Sequence, residues 1–217
     1  MRVNRTIRLR ASAAISAGLM LLVTAEPATA TRPTVDASDF PGVSQIASIL
    51  PAYDGGTRTI ESDHPIWVLR ANCLSYENGP SGVVRKFAYY GAPESDQPSY
   101  PNLFVQEFPN VAGAERAIRT IRRNIEGCYG TIREPWHDGV FIKRPADVPQ
   151  LGDGRPVAWK MNDHWTQGRD GLKRIYYSRR IWMREGDTVI GVDLWGEVAQ
   201  SRADAIALAE LALETVD

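Results

Sequence analysis

The chain has 217 residues, with 25 Lys+Arg against 26 Asp+Glu and two cysteines. That length suits one domain, or at most two small ones, with enough chain to bury a real core, and the balanced charge gives neither a basic footprint for nucleic acid nor an acidic tail for disorder. Two cysteines are too few for a disulfide-dense mini-protein or a four-thiolate zinc module.

The first thirty residues read as an address. Arg2, Arg5, Arg8 and Arg10 are followed by an uncharged run from Ala11 to Ala25 and by Ala28-Thr29-Ala30. A basic segment, a short apolar stretch and an A-x-A site predict a secretory signal peptide over 1–30, cleaved near Ala30. Fifteen uncharged residues fall short of the roughly 20 that span a bilayer, so no stable membrane insertion is expected. With no cysteine beside the cleavage site, a lipid anchor is not expected either. The mature chain then starts near Thr31 and acts outside the cytoplasm. Losing four arginines and Glu26 leaves 21 basic and 25 acidic residues, a formal charge of −4. In an oxidising compartment Cys73 and Cys128 are expected to pair, contributing about 4 kcal/mol by loop closure. The alternative is two buried thiols.

Residues 31–41 read as an extended lead-in, and 42–217 as one domain. Val43 to Leu50 predicts a short helix stopped by Pro51. In 111–127 the apolar positions Ala114, Ala117, Ile118, Ile121 and Ile125 recur at helical spacing, with Asn110 as N-cap and Cys128 continuing the stripe. Ser201-x-x-Asp204 opens a second helix, 202–216, burying Ala205, Leu208, Ala209, Ala212, Leu213 and Val216. Ile66–Leu74, Gly82–Tyr90, Leu103–Phe108, Pro156–Asp163, Lys173–Arg184 and Thr188–Trp195 predict strands. Glu185-Gly186-Asp187 joins the last two into an antiparallel hairpin. In the final strand Thr188, Ile190, Val192 and Leu194 face one way, and Val189, Gly191, Asp193 and Trp195 the other. The fold class is α+β: an antiparallel β-sheet flanked by helices. If Cys73 points inward with Trp67 and Leu69, its bond to Cys128 would pin the middle helix to the sheet. Trp67, Trp159 and Trp195 are expected in the core.

The chain lacks G-x-S-x-G, H-E-x-x-H, C-x-x-C, P-loop and dinucleotide fingerprints. Each histidine adjoins an aspartate (Asp63-His64, His137-Asp138, Asp163-His164), yet neighbours on an extended chain point to opposite sides, and Asp is common at turns for backbone reasons. No catalytic residue, metal site or cofactor is expected. Leu151-Gly152-Asp153-Gly154 is a turn by composition. The distinctive element is the strand 173–184, one face of which carries Arg174, Tyr176, Ser178, Arg180, Trp182 and Arg184. Such alternation of cations and aromatics could hold an anionic or sugar-containing ligand. The plainer reading is a solvated sheet face whose arginines stack on aromatics.

The order of elements carries a resemblance. An early strand with a cysteine precedes a helix of form A-x-x-A-I-x-x-I-x-x-x-I-x-x-C, ending at Cys128. The Leu151-Gly152-Asp153 turn, the segment from Ile181-Trp182-Met183-Arg184 through Val192, and an Ala-rich C-terminal helix follow. Over roughly Phe40 to Asp217 the chain resembles the PknH-like extracellular sensor domain of actinobacterial receptor kinases and secreted proteins. The resemblance implies an antiparallel sheet with a cleft, and ligand sensing rather than catalysis. Family members commonly have four cysteines in two bridges, against two here. With no kinase domain in this chain, a signal would pass through a protein partner.

The reading from sequence is thus an exported, non-enzymatic binding domain. Its ligand, a small molecule or a piece of the cell envelope, would be held by Arg174, Tyr176, Arg180, Trp182 and Arg184. A small secreted hydrolase built on an Asp–His pair and a surface interaction or inhibitor protein are the alternatives.

Overall fold

Alternating apolar residues on long strands give a sheet with two buried faces, and each face recruits its own cover. The computed structural model describes residues 35–93, 99–134, 139–167 and 172–216. The predicted signal peptide, its cleavage site and the His137-Asp138 pair lie outside the described residues. The strands of the main sheet are β1 (Thr57–Ser62), β4 (Val84–Gly91), β5 (Tyr100–Glu107), β6 (Gly130–Arg133), β7 (Val140–Pro145), β8 (Val157–Gln167), β9 (Leu172–Glu185) and β10 (Thr188–Gly196). They lie in the order β1-β4-β5-β10-β9-β8-β7-β6, every neighbouring pair antiparallel. Two short strands, β2 (Trp67–Leu69) and β3 (Tyr76–Asn78), pair only with each other.

Among the described residues there are three α-helices: α1 (Val43–Ile49), α2 (Val111–Glu126) and α3 (Arg202–Val216). One sheet face, carrying Ile181, Met183, Ile190, Val192, Leu194, Leu103 and Val105, packs against Ile46 of α1 and Ala205, Leu208, Ala209 and Ala212 of α3. Leu213 and Val216 are only partly buried against it. The other face, with Trp159, Trp182, Val157 and Val189, packs against Ala114, Ala117, Ile118, Ile121 and Ile125 of α2 and against Ile66, Val68 and Leu69. The predicted α2 stripe is therefore the observed contact face, and the Asn110 side chain accepts from Gly113 N at 2.9 Å as its N-cap. Ser201 Oγ likewise accepts from Asp204 N at 3.3 Å, giving half of the predicted capping box.

The β9–β10 hairpin turns at Gly186, whose φ of 54° lies in the left-handed region that glycine adopts at no steric cost. Asp153 of the Leu-Gly-Asp turn closes it: its Oδ2 accepts from Gly186 N at 3.0 Å and from Arg184 Nη1 at 2.9 Å.

Two expectations change. The strand predicted over 66–74 ends at Leu69, because Asn72 Oδ1 accepts from Leu74 N and Ser75 N and folds the chain into a turn. Cys73 sits in that turn with φ 60°. The Cys73–Cys128 bond is present, with Cα atoms 5.3 Å apart, but it ties the β2–β3 turn to the end of α2 and not α2 to the main sheet. Trp67 is consequently 51% exposed rather than in the core. The strand predicted to stop at Asp163 runs on through Gln167, so Asp163 and His164 stand within β8 and not at a turn.

The bridge closes a separation of 55 residues. Replacing both cysteines by serine should lower unfolding free energy by about 4 kcal/mol in the chain-entropy account, read by urea titration. Hydrogen exchange should accelerate in 66–78 well before it does in β9 and β10. Equal acceleration everywhere would show that the bridge does not act locally.

Candidate functional site

Strand register alone assembles the site. Along β9 the side chains of Tyr176, Ser178, Arg180 and Trp182 fall on the α2 side of the sheet, since alternate residues share a face. Across to β10, Trp182 lies opposite Gly191, Arg180 opposite Asp193 and Ser178 opposite Trp195. Beyond β10 the row continues with Phe104, Asn102 and Tyr100 of β5, and Phe87 of β4 stands opposite Phe104. Gly191 matters here, because a Cβ would come within 2.4 Å of the Trp182 ring. Its absence lets the indole lie over β10, where it meets Phe104 at 5.3 Å between ring centroids.

The segment leading into β2 supplies the facing wall. The His64 ring stacks on Phe87 at 4.4 Å and lies 5.0 Å from Trp67. Between that wall and the sheet is a cavity of about 360 Å³ lined by His64, Trp67, Phe87, Phe104, Trp182 and Trp195, with Asn102, Arg180 and Asp193 as its polar members. A second hollow of about 180 Å³ lies between the end of α2 and the 145–158 segment. The larger one has the volume and the mostly aromatic lining of a small-molecule site.

Arg180 Nη2 and Asp193 Oδ2 are 2.8 Å apart, and the Asp193 side chain is 7% exposed. Arg180 Nη1 also donates to Tyr76 Oη of β3 at 3.4 Å, with the guanidinium 5.4 Å from the Tyr76 ring centre. Burial works against the guanidinium charge, but Asp193 and Tyr76 hold its pKa above the usual value. Burial pushes the Asp193 carboxyl up, and Arg180 pulls against that shift. Two atoms of the pair, Asp193 Oδ1 and Arg180 Nε, are buried with no hydrogen-bond partner. With its amide oxygen turned toward Trp195, Asn102 accepts from Trp195 Nε1 at 3.0 Å.

Beside the cleft, Lys143 of β7 is 2% exposed and donates from Nζ to the Cys73 carbonyl at 2.6 Å. Burial, aided by Arg180, lowers its pKa to about 8. Burial, aided by Glu134, raises that of Asp163 to about 6, and Asp163 Oδ1 is buried without a partner.

The structure brings together two of the five residues predicted to bind ligand: Arg180 and Trp182 line the cavity. Tyr176 stands at its edge, 6.1 Å from Trp195. Arg174 and Arg184 are elsewhere, the first paired with Glu197 at 3.1 Å and the second with Asp153 at 2.9 Å. Trp159 is in the core as expected, at 4% exposure, whereas Trp67 and Trp195 face the cleft. Neither described Asp–His neighbour pair is joined. Asp63 meets Arg85 at 3.5 Å while His64 Nδ1 faces the Pro65 carbonyl at 3.1 Å. Asp163 and His164 project from opposite faces of β8. Among the described residues no cluster of His, Cys, Asp and Glu could hold a metal ion, and no helix is long and apolar enough to cross a membrane.

Sequence reasoning missed His64, Trp67, Phe87, Asn102, Phe104, Asp193 and Trp195 as site residues. For Asp193 the signal was present: the Glu185-Gly186-Asp187 turn fixes a register that sets Asp193 opposite Arg180. The wall from His64 to Trp67 left no such signal.

A disulfide-tethered hairpin over an antiparallel sheet, with a cleft between them, defines an α+β domain. The chain resembles the extracellular domain of PknH from Mycobacterium tuberculosis, which covers 85% of this chain and 97% of its own with a TM-score of 0.54 at 16% identity. The likeness is one of fold. An uncharacterized protein from Mycobacterium smegmatis aligns over 83% of this chain and 99% of its own, with a TM-score of 0.39 at 10% identity. No protein-family description matches the sequence, and no curated protein matches it.

Two outcomes test these electrostatics. Asp193→Leu alone should cost about 3–5 kcal/mol, since it leaves a buried guanidinium uncompensated, while adding Arg180→Met should restore most of the loss; a double-mutant cycle by chemical denaturation reads the coupling, and additive losses would contradict it. Asp163 binds its proton more tightly folded than unfolded, so its contribution is full below about pH 3.8 and lost as pH rises through about 6. Asp163→Asn should therefore raise Tm at neutral pH, on the order of 2–4 °C, and flatten the fall in Tm across that window, as followed by calorimetry.

Proposed function

We propose that this protein is an exported, sensor-like binding domain that takes a small ligand in the cleft between the His64–Trp67 wall and the β9–β10–β5 surface. The observation that carries the reading is the 360 Å³ aromatic cavity closing on the buried Arg180–Asp193 pair. Sites of this kind combine apolar walls, which supply burial, with a few fixed polar groups, which supply orientation. Arg180, Trp182 and Tyr176 are the sequence-predicted residues that serve this site; Arg174 and Arg184 act as partners of Glu197 and Asp153.

Export accords with the leader at 1–30 and with the Cys73–Cys128 bridge, which persists in an oxidising compartment. The fold likeness to an extracellular domain points the same way. A binding rather than hydrolytic role accords with the separate partners of Asp63 and His64 and the opposed directions of Asp163 and His164. A response to ligand would reach the cell through a protein partner contacting the hairpin, the element whose position the cleft occupant touches.

Thermal-shift screening against a library of small metabolites tests this. A ligand at a hundred times its Kd should stabilise the protein by about 2.7 kcal/mol. Trp67→Ala, at a half-exposed position, should leave the unliganded Tm nearly unchanged and abolish that stabilisation. A ligand whose effect survives Trp67→Ala and Asn102→Ala binds outside the cleft, and the reading fails.

A further inference from the structure

The chemistry lining the cleft narrows the class of ligand. This step rests on the cleft being a ligand site and asks what it would accept. Each arginine on the cleft side of β9 already faces an acid: Arg174 with Glu197, Arg180 with Asp193, Arg184 with Asp153. Arg180 is the one of these that lines the cavity, and its charge is met by a carboxylate 2.8 Å away. An entering anion would therefore gain little from Arg180 and would be repelled by Asp193. A cation meets the same balance with the signs reversed.

A purely apolar occupant also fits poorly. It would cover the polar floor of the cleft, where the partly open Arg180 guanidinium and the Asn102 amide lie. Burying such groups further without hydrogen bonds is costly. A hydroxyl is both donor and acceptor, so adjacent hydroxyls on a ring can accept from the open edge of the guanidinium and pair with the Asn102 amide. The Arg180 side chain keeps 21% of its surface open and can reach such hydroxyls directly, with the Asn102 amide beside it. Around this polar floor stand the Trp67, Trp195 and Phe87 rings, which supply flat apolar surface for the C–H face of a sugar.

We infer that the cleft is a saccharide site for a neutral sugar ring, stacked on Trp195 or Trp67, with neighbouring hydroxyls held by Arg180 and Asn102 while Asp193 balances the Arg180 charge. Specificity comes from the Arg180 guanidinium and the Asn102 amide on the floor and affinity from the aromatic walls. Net charge contributes little, so binding should depend only weakly on salt.

The test uses the disulfide-intact protein and three sets of probes: the neutral disaccharides maltose, cellobiose and N,N′-diacetylchitobiose; the anions phosphate and glucuronate; and indole. Binding is read from the indole N–H resonances of Trp67 and Trp195 and from saturable tryptophan fluorescence. At least one neutral disaccharide should shift both resonances, with an affinity almost the same at low and high salt. Asn102→Ala and Trp195→Phe should each weaken it about tenfold, and Arg180→Met, if folded, by more. Phosphate or glucuronate binding that falls steeply with salt would overturn the saccharide assignment and leave the cleft a ligand site. Indole binding without disaccharide binding would do the same. If no probe binds while the metabolite screen still yields a cleft ligand, the saccharide class is wrong and the site stands; if both fail, both readings fall.

Discussion

A hairpin of two three-residue strands buries too little surface to hold a position on its own, yet here it forms one wall of the cleft. The Cys73–Cys128 bond supplies the constraint by fastening the hairpin turn to the end of α2. Lys143 of β7 adds a second tie through the Cys73 carbonyl, and Arg180 a third through Tyr76. With the turn fixed at these points, Trp67 stands at the rim of the cleft while the His64 ring rests on Phe87 of the sheet. The hairpin packs through Val68 and Leu69, and the cavity is the space left beyond that contact.

The same arrangement explains the unusual polarity beneath the hairpin. Lys143, Arg180, Asp163 and Asp193 lie on a face that elsewhere buries Trp159, Trp182 and Val189. Two of these charges neutralise each other in a close pair, which costs desolvation and confers orientation. Lys143 instead spends its ammonium on a backbone carbonyl, so its charge serves the tether. Of the four, Arg180 and Asp193 reach the cleft floor beneath its aromatic walls, and Lys143 and Asp163 lie beside it.

Much of the fold could be read from the chain. The α2 stripe from Ala114 to Ile125, the Asn110 cap, the β9–β10 hairpin and the two-sided alternation of β10 are local patterns whose physical cause lies within a few residues. The bridge followed from compartment and cysteine count. The strands β1, β6 and β7 were missed because Thr57–Ser62, Gly130–Arg133 and Val140–Pro145 are mixed in polarity and sit toward the ends of the sheet. The predicted strand over 66–74 failed for another local reason, the Asn72 turn, which apolar content at Ile66, Val68 and Leu69 concealed.

The cleft divides along the same line. Sequence determined which residues of β9 share a face, because a period of two is a property of the extended backbone. It also contained the Arg180–Asp193 pairing, through the length of one turn. Tertiary structure decided what each of those residues meets. Arg174 and Arg184 look identical to Arg180 along the strand, but Glu197 and Asp153 occupy two of them, and only the third opens onto a cavity. Trp67 reads as core on a strand and stands at a rim because Cys73 turns the chain and Cys128 holds the turn. Periodicity specifies a direction; what lies in that direction is set by contacts between segments far apart in the chain.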